Sequence, residues 1–286
     1  MTATDYVEFR AALESSKFIV ILTGIGLSTM PASAVAYRAR ACANTWQRLD
    51  AEEVGNPDVF AEDPSLVWQF YHHCREQVLK ARPTAAHRAI AQLSSRPEAL
   101  KRIASNATLR LFTKNIDGLA GQAHPYDASP SSQPIELYGN IFRVKCTKCG
   151  MTEKNTDSPM CPALAGTEKC FAEPQKPVSV IEEKDLPRCK QCQALLRPDV
   201  VWFKEEIHHL ERAANLISNN CDLLILVGTG LHVAPCSIFG ELVRRRGGKI
   251  AVFNGQGAHA DRDAHFRFQG PCGDTLVKAL RMEGEV

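Results

Sequence analysis

Four cysteines in two Cys-x-x-Cys pairs carry the most specific chemical signal in this chain of 286 residues. Each pair forms a tight knuckle that directs both of its sulfurs at one metal ion, and two such pairs complete the tetrahedral coordination of zinc. Because four thiolates leave no coordination position open, the predicted zinc is structural and any catalysis takes place elsewhere. The predicted ligands are Cys146, Cys149, Cys189 and Cys192.

A glycine-rich turn is the second chemically informative feature. Gly24-Ile25-Gly26, closed by Ser28, follows an apolar run, and its backbone amides could approach a pyrophosphate there. The tripeptide also fits a plain turn, since the third glycine of the full dinucleotide fingerprint is missing. Three other segments lie at the ends of apolar runs and would line the same crevice, which favours a nucleotide site: 113–117, 228–230 and 253–254.

Short apolar runs alternate with helical stretches and would position these turns. The runs suit strands that are buried on both faces, and their alternation with helices predicts an α/β fold with a parallel sheet between two helical layers. Ligands of such sheets bind at the carboxyl ends of the strands. Strands are predicted over 18–22, 109–113, 223–227 and 250–253, and helices over 6–13, 64–80, 85–93, 236–246 and 272–280.

The cysteine-rich stretch interrupts this alternation. It is predicted to form a small zinc-binding domain over 143–198, organised by the metal and inserted into a larger domain that covers 1–142 and 199–286. The larger domain would contain a helical insertion at about 46–82. Segment 120–134 is rich in Pro, Ser, Gln and Ala and is predicted to be a loop.

The composition predicts a globular protein with a substantial core, because 44% of the residues are hydrophobic and the formal net charge is only +2. So balanced a charge gives no general attraction to nucleic acid or to an anionic membrane, and neither is an expected partner. The 11 cysteines fit a reducing compartment. The first residues lack the features of a secretion signal or transit peptide, so the expected location is the cytoplasm or the nucleus.

Taken in chain order, the motifs resemble the sirtuin family of NAD-dependent protein deacylases, and the resemblance runs from about residue 18 to residue 280. Such an order of motifs is difficult to obtain by chance. The matching pieces are 24–28, Tyr37-Arg38, Pro83 with His87, Asn115-Ile116-Asp117, both cysteine pairs, 200–203, Gly228-Thr229, Phe253-Asn254 and 268–273.

The resemblance implies a Rossmann-like large domain, and a cleft between the two domains that accepts NAD and an acylated protein or peptide. In the family mechanism the acyl oxygen attacks the ribose carbon as nicotinamide leaves, and a histidine then acts as general base. The resemblance assigns catalysis to Tyr138, Asn115 and Asp117. It assigns substrate contacts to Tyr71, Val201, Trp202 and Phe203. It assigns cofactor binding to Gly24, Ile25, Gly26, Ser28, Tyr37, Arg38, Lys114, Asn115, Ile116, Asp117, Gly228, Thr229, Gly230, Asn254, Gly255, Gln256 and Cys272.

Tyr138 stands where the family has its histidine. A tyrosine with an ordinary pKa near 10 is a poor base at neutral pH, whereas a histidine with a pKa near 6.5 is well matched. Two interpretations follow: the ammonium of Lys114 lowers the tyrosine pKa and makes it a substitute base, or Tyr138 only fills the vacated space. Other usual family residues are replaced by Ile25, Lys114, Gly230 and Lys204.

Within the family the chain most resembles the class III branch, which removes acidic acyl groups, on the strength of Cys161-Pro162-Ala163-Leu164 and Trp202-Phe203. That branch binds the acyl carboxylate through a Tyr-x-x-Arg element. Tyr71 matches, but Cys74 occupies the arginine position and Arg75 follows it, rotated by about 100° around the helix. The sequence therefore predicts no preference for succinyl or malonyl groups.

Several of these residues also fit simpler structural roles. Asn115 and Asp117 suit the cap of a helix that follows a strand, and His87 suits a packed helix position. Cys272 suits burial as well as a cap near the adenine end of a nucleotide. Segment 200–203 suits either an ordinary strand or an edge that binds a substrate peptide by strand addition.

The function favoured by these residues is NAD-dependent removal of acyl groups from protein lysines, a transferase activity. Two alternatives stay open. The chain could be a noncatalytic regulatory protein that retains the cleft for NAD or an acyl-lysine peptide. It could also transfer ADP-ribose or hydrolyse NAD, because in the family mechanism the first bond cleavage precedes the step that needs histidine.

Overall fold

A computed structural model describes residues 3–28, 54–168, 179–255 and 261–286. All four predicted strands are present and form the centre of a six-stranded sheet in which every pair is parallel. The spatial order is β3-β2-β1-β7-β8-β9. The strands are β1 (Phe18–Thr23), β2 (Thr108–Thr113), β3 (Ile135–Glu136), β7 (Leu223–Val227), β8 (Lys249–Asn254) and β9 (Phe266–Gln269).

Helices cover both faces of this sheet, as the apolar strands require. Successive side chains of a strand point to opposite faces, so Ile19 and Ile21 enter one core and Val20 and Leu22 enter another. The helices are α1 (Ala3–Ser15), α2 (Pro57–Glu62), α3 (Pro64–Leu79), α4 (Ala85–Ser95), α5 (Pro97–Ile103), α6 (Leu119–Gln122), α7 (Leu210–Asn220), α8 (Cys236–Arg245) and α9 (Cys272–Leu280).

A second, antiparallel sheet builds the small domain, with strand order β5-β4-β6. Helix α3 shares its core, because Trp68 is fully buried there and donates from Nε1 to the carbonyl of Leu196 at 2.8 Å. The strands are β4 (Gly139–Cys146), β5 (Thr152–Lys154) and β6 (Leu196–Val200). The predicted domain limits at 142/143 and 198/199 fall inside β4 and β6, and they stay a prediction.

Local sequence signals explain where the helices near the site begin. Asp63 accepts a hydrogen bond from the backbone N–H of Leu66, and Pro64 occupies the first turn of α3. Thr84 caps α4 in a reciprocal arrangement with His87. His87 is therefore a packed helix residue, as its simpler interpretation predicted, and burial lowers the pKa of His87 to about 4.

The loop predicted over 120–134 is partly wrong, since α6 begins at Leu119 and a short 3-10 helix covers Pro130–Ser132. A single turn of helix contains too few apolar residues to produce a recognisable hydrophobic periodicity in a polar segment. Strands β3 and β9 are also additional to the prediction because they are short edge strands. No helix in the described part of the chain has the length and apolar character needed to cross a bilayer.

Candidate active site and metal centre

The four predicted zinc ligands lie together in the small domain. The sulfurs of Cys146, Cys149, Cys189 and Cys192 are all within 4.8 Å of one another. Cys146 Sγ lies 3.5 Å from Cys192 Sγ, and Cys149 Sγ lies 3.7 Å from Cys189 Sγ. Zn–S bonds of about 2.3 Å place the sulfurs of a tetrahedral site about 3.8 Å apart. The arrangement therefore fits zinc.

Backbone geometry within each knuckle supports this assignment. The backbone N–H groups of Lys148 and Cys149 both donate to Cys146 Sγ at 3.4 Å. These hydrogen bonds, with that of Cys149 the stronger influence, lower the pKa of Cys146 to about 6. Since a metal binds the thiolate and not the thiol, such donors prepare the sulfur for coordination. The residue after each pair, Gly150 or Gln193, has a left-handed backbone that closes the turn.

The glycine-rich turn after β1 packs directly on the turn after β7. Gly24 N–H donates to the carbonyl of Val227 and Gly26 N–H donates to that of Gly228, both at 2.9 Å. A Cβ on Gly24 would lie 2.6 Å from Thr229 Cβ, and one on Gly26 would lie 2.9 Å from Gly228 Cα. These glycines are therefore required for close approach of two backbones at the carboxyl edge of the sheet.

Replacing Gly228 with alanine should destabilise the fold by about 3 kcal/mol, the sum of left-handed strain near 1 kcal/mol and a backbone clash. Gly228 has φ +69°, and its Cβ would lie 2.5 Å from the carbonyl carbon of Gly26. Gly247→Ala is the matched control, because Gly247 has φ +76° with no atom within 4 Å of its Cβ. Urea unfolding measures both variants, and equal losses would contradict a tight approach at Gly228.

The Asn-Ile-Asp segment after β2 closes the same crevice. Asn115 Nδ2 donates to the carbonyl of Gly24 at 3.1 Å, and the Ser28 hydroxyl donates to Asp117 Oδ2 at 2.8 Å. Asp117 Oδ1 also accepts from the N–H of Leu119 at 3.0 Å, but the N-cap of α6 is Gly118 and not Asp117, so the cap interpretation of Asp117 is wrong. Burial raises the pKa of Asp117.

One atom of this cluster lacks a partner. Asn115 Oδ1 is buried and accepts no hydrogen bond in the described structure. A buried acceptor without a donor costs about 1–3 kcal/mol. A ligand with an amide or hydroxyl donor would relieve that cost, and the carboxamide of nicotinamide carries such a donor. The unpaired acceptor of Asn115 therefore fits NAD at this position.

The other predicted cofactor residues that the structure describes lie along the carboxyl edge of the same sheet. Asn254 ends β8 and accepts from the N–H of Gly270 at 3.1 Å, and Gly255 follows it at the surface. Cys272 begins α9, is buried, and donates to the carbonyl of Phe253 at 3.4 Å, as its burial interpretation predicted. Gly230 packs against Asp261, whose Oδ1 accepts from the N–H of Leu231 at 2.6 Å. Tyr37, Arg38 and Gln256 lie outside the described residues.

Tyr138 lies in a separate cavity of about 220 Å³ beside the crevice. This cavity also contains all four predicted substrate residues. Its described lining is dominated by aromatic and aliphatic side chains: Phe70, Tyr71, Ile116, Tyr138, Val200, Val201, Trp202, Phe203 and Ile207, with Gly55, Lys204 and Glu205.

A hydrogen-bonded framework holds the aromatic wall of the cavity. Trp202 Nε1 donates to Tyr71 Oη at 2.9 Å, and the guanidinium of Arg197 lies 3.5 Å from the centroid of the Trp202 ring. Glu205 accepts from Arg197 and from the N–H of Trp202 at 2.8 Å. The sequence-based prediction did not include Arg197 or Glu205. Glu205 follows Trp202 by three residues, a spacing typical of a turn, and that was the available signal.

Segment 201–203 is not a strand. Strand β6 ends at Val200, and the N–H of Val201 donates to the carbonyl of Tyr138 at 2.9 Å. Trp202 is buried while Phe203 is 40% exposed. The interpretation of this segment as an ordinary strand is therefore wrong beyond Val200, because the N–H groups of Trp202 and Phe203 donate to the side chain of Glu205 and the carbonyl of Gly55 instead of to a neighbouring strand. The segment instead forms one wall of the cavity.

Arg75 points away from the cavity, as its rotation around the helix predicted. Its guanidinium donates to the carbonyls of Ile141 at 2.7 Å and Asp157 at 3.0 Å, and to Asn155 Oδ1 at 2.9 Å. Burial lowers the pKa of Arg75 to about 10. The side chain therefore joins α3 to the small domain and does not contact the candidate acyl site.

Comparison with known proteins agrees with this geometry. The Sir2 family model matches residues 24–235. An NAD-dependent protein deacylase of Daphnia pulex is 37% identical over 98% of this chain and 97% of its own length. The mitochondrial NAD-dependent protein deacylase sirtuin-5 of Xenopus tropicalis is 36% identical over 97% of this chain and 86% of its own. Since that relative is mitochondrial, a cytoplasmic or nuclear location stays a prediction.

A solved structure gives the same result for the fold. The crystal structure of a Sir2 homologue in complex with NAD has a TM-score of 0.72 and 27% sequence identity, and the match covers 96% of this chain and 92% of that one. The family model spans 24–235, and the two relatives and this structure each match at least 96% of the chain. The chain therefore belongs to the Sir2 family, the sirtuins.

Proposed function

We propose that this chain removes acyl groups from lysine side chains of proteins, with NAD as co-substrate. The segment Asn115-Ile116-Asp117 carries the proposal, because it takes part in both halves of the site. Asn115 and Asp117 bond to the glycine turn and to Ser28, while Ile116 lines the cavity that contains Tyr138. A ligand bound at the glycine turns would thus lie next to a side chain inserted into the cavity.

The dinucleotide half would be held by the turns after β1, β2, β7 and β8. When bound there, NAD supplies an electrophilic ribose carbon that accepts the acyl oxygen as nicotinamide departs. The chain orients this reaction through Asn115, whose buried Oδ1 is ready to accept from an amide, and through Asp117, which is fixed by Ser28 and Leu119. Zinc would be held by the four cysteines at a distance from the reacting atoms and would stabilise the small domain only.

The acyl-lysine half would occupy the cavity of about 220 Å³. Transfer of the aliphatic lysine stem from water to a position among Phe70, Trp202 and Ile207 would lower the free energy of the complex. Burial strongly raises the pKa of Tyr71, so its phenol stays neutral and accepts the hydrogen bond from Trp202. Phe203, which is exposed beside the cavity mouth, would contact the flanking peptide.

The cavity should prefer neutral acyl groups to acidic ones. Lys204 is the one basic residue among the described lining residues, and its Nζ is bonded at 2.8 Å to Asp58 on the surface. Glu205 also lines the cavity; burial acts to raise its pKa, but the bonds from Arg197 and Trp202 lower it overall, so the carboxylate stays charged. The charge of Glu205 is paired with Arg197, so an acidic acyl group would meet no free cation among the described residues.

Butyryl-lysine and succinyl-lysine peptides of one sequence test this preference, since they differ by a terminal methyl in place of a carboxylate. We expect the butyryl peptide to bind about 100-fold more tightly, because a buried carboxylate without a partner costs several kcal/mol. Isothermal titration calorimetry with ADP-ribose present measures both affinities, and the unacylated peptide is the control. Tighter binding of the succinyl peptide would contradict a neutral acyl site.

The proposed activity is tested by nicotinamide release from NAD. We expect release that depends on an acylated peptide, together with loss of the acyl mass from that peptide in mass spectrometry. Release without peptide would instead assign NAD hydrolysis or ADP-ribosyl transfer. NAD binding without release would indicate a noncatalytic protein. This is the second candidate function, because Tyr138 stands at the histidine position of the family.

A further inference from the structure

Lys114 places a buried ammonium in the dinucleotide crevice. It directly follows β2, and its backbone N–H donates to the carbonyl of Thr23 at 2.9 Å, which fixes the residue beside β1. The residue is only 8% exposed. Its Nζ donates to Thr229 Oγ1 at 3.4 Å, so the charged end lies against the turn that follows β7.

No carboxylate balances this charge within the described residues. The ion pairs found there do not include Lys114, and its one resolved electrostatic partner is the thiol of Cys236. Burial lowers the pKa of Lys114, the direction expected when a cation loses water without gaining an anion. A buried charge without a counter-ion is costly, which makes an anionic ligand favourable at this place.

The surroundings of the ammonium define the shape of that ligand. An ammonium has three N–H donors, and the long bond to Thr229 satisfies one of them. Thr229 itself lies against Gly24, whose Cβ would be 2.6 Å from Thr229 Cβ. A ligand at this place would therefore pass along the glycine turn beside the Thr229 side chain, and it must offer negatively charged oxygens to the ammonium of Lys114.

We propose that Lys114 is a cationic subsite for the diphosphate of the dinucleotide, so that this chain holds NAD and ADP-ribose through a side-chain charge in addition to its glycine turns. The diphosphate is the anionic part of NAD, and its oxygens accept several hydrogen bonds at once. This inference rests on the proposed function for the identity of the nucleotide. It does not require that acyl transfer take place.

The test compares Lys114→Met and Lys114→Gln with the natural chain in calorimetric titrations of ADP-ribose and of adenosine. We expect both variants to bind ADP-ribose about 10- to 100-fold more weakly, as for the loss of a hydrogen bond to a charged group. Adenosine binding should not change, because adenosine lacks the diphosphate. Lys101→Met removes the same charge from an exposed position on α5 and should alter neither affinity.

A second readout distinguishes a charge contact from a change in packing. A bound anion raises the pKa of the ammonium, so ADP-ribose binding to the natural chain should take up protons in alkaline buffer, and binding to Lys114→Met should not. Thermal unfolding should show Lys114→Met at least as stable as the natural chain, since it removes a buried charge.

Each outcome decides the inference. Equal ADP-ribose affinity for the natural chain and Lys114→Met would overturn it, and so would a parallel loss of adenosine affinity. Absence of ADP-ribose binding by the natural chain would overturn both the inference and an NAD-dependent function. Lys114-dependent binding of ADP-ribose without nicotinamide release would support the subsite while rejecting deacylation.

Discussion

Replacing Tyr138 with histidine should raise the rate of deacylation by about 100-fold. A general base whose pKa is matched to the working pH contributes about 10²- to 10⁴-fold, and an ordinary phenol with a pKa near 10 cannot supply this at neutral pH. In one of the two interpretations the ammonium of Lys114 activates the phenol, but the structure directs that ammonium at Thr229, at 3.4 Å. Tyr138 lies partly buried against the core formed by β1, β7 and α8, which fits a space-filling role.

Tyr138→Phe is the matched control for this prediction, because it removes only the hydroxyl. We expect its rate to equal that of the natural chain across the pH range. The Tyr138→His rate should rise with pH through about 6.5, as the imidazole loses its proton. Single-turnover assays with a butyryl peptide measure all three proteins. A natural chain that is active, and that loses its activity in Tyr138→Phe, would instead identify the tyrosine as the base.

Removing zinc should unfold the small domain. Structural zinc contributes apparent binding free energies of about 10–16 kcal/mol in zinc-finger peptides, far more than the net stability of a small domain. Without the metal, four sulfurs within 4.8 Å of one another would lose their common partner. Far-ultraviolet circular dichroism after chelation should show loss of strand signal, and limited proteolysis should cleave within the predicted domain at 143–198.

Cys146→Ser and Cys161→Ser form a matched pair for this experiment. Cys146 belongs to the metal cluster, whereas Cys161 lies in the same domain outside it. We expect Cys146→Ser to lose zinc and Cys161→Ser to retain one zinc per chain in atomic absorption. Because β6 leads directly into Val201 and Trp202, the loss should also abolish binding of the acyl peptide. A Cys146→Ser protein with full zinc and an unchanged melting temperature would refute the assignment.

The central fold was predictable because its strands are apolar on both faces. Ile19, Val20, Ile21 and Leu22 are all buried, and such an unbroken apolar run is typical of a strand that is covered on both faces. The edge strand β9 alternates buried and exposed residues, and at four residues this pattern was too short to separate from a loop. The sheet of the small domain was not predicted either, since the metal and the packing of Trp68 determine its pairing more than strand propensity does.

The site was predictable in its parts and less so in its contacts. The spacing of the cysteines fixed the metal cluster, because the chemistry of zinc dictates the spacing. The glycine turns were located correctly, but the sequence could not show that Gly24 and Gly26 are required by the neighbouring turn at Gly228. The placements of Arg75 and Lys114 depend on long side chains with several rotamers, and only tertiary contacts select among these.

The position of Ile116 between two polar neighbours links the energetics of the two ligands. Asn115 and Asp117 bond to Gly24 and Ser28, on the side proposed for the dinucleotide, and Ile116 lines the cavity proposed for the acyl group. If binding of one ligand displaces this tripeptide, the binding free energy of the other ligand changes. Thermodynamic reciprocity requires that each ligand change the affinity of the other by the same factor. Nucleotide and modified peptide should accordingly change each other's retention by the same factor, so that neither alone reports its affinity in the assembled ternary complex.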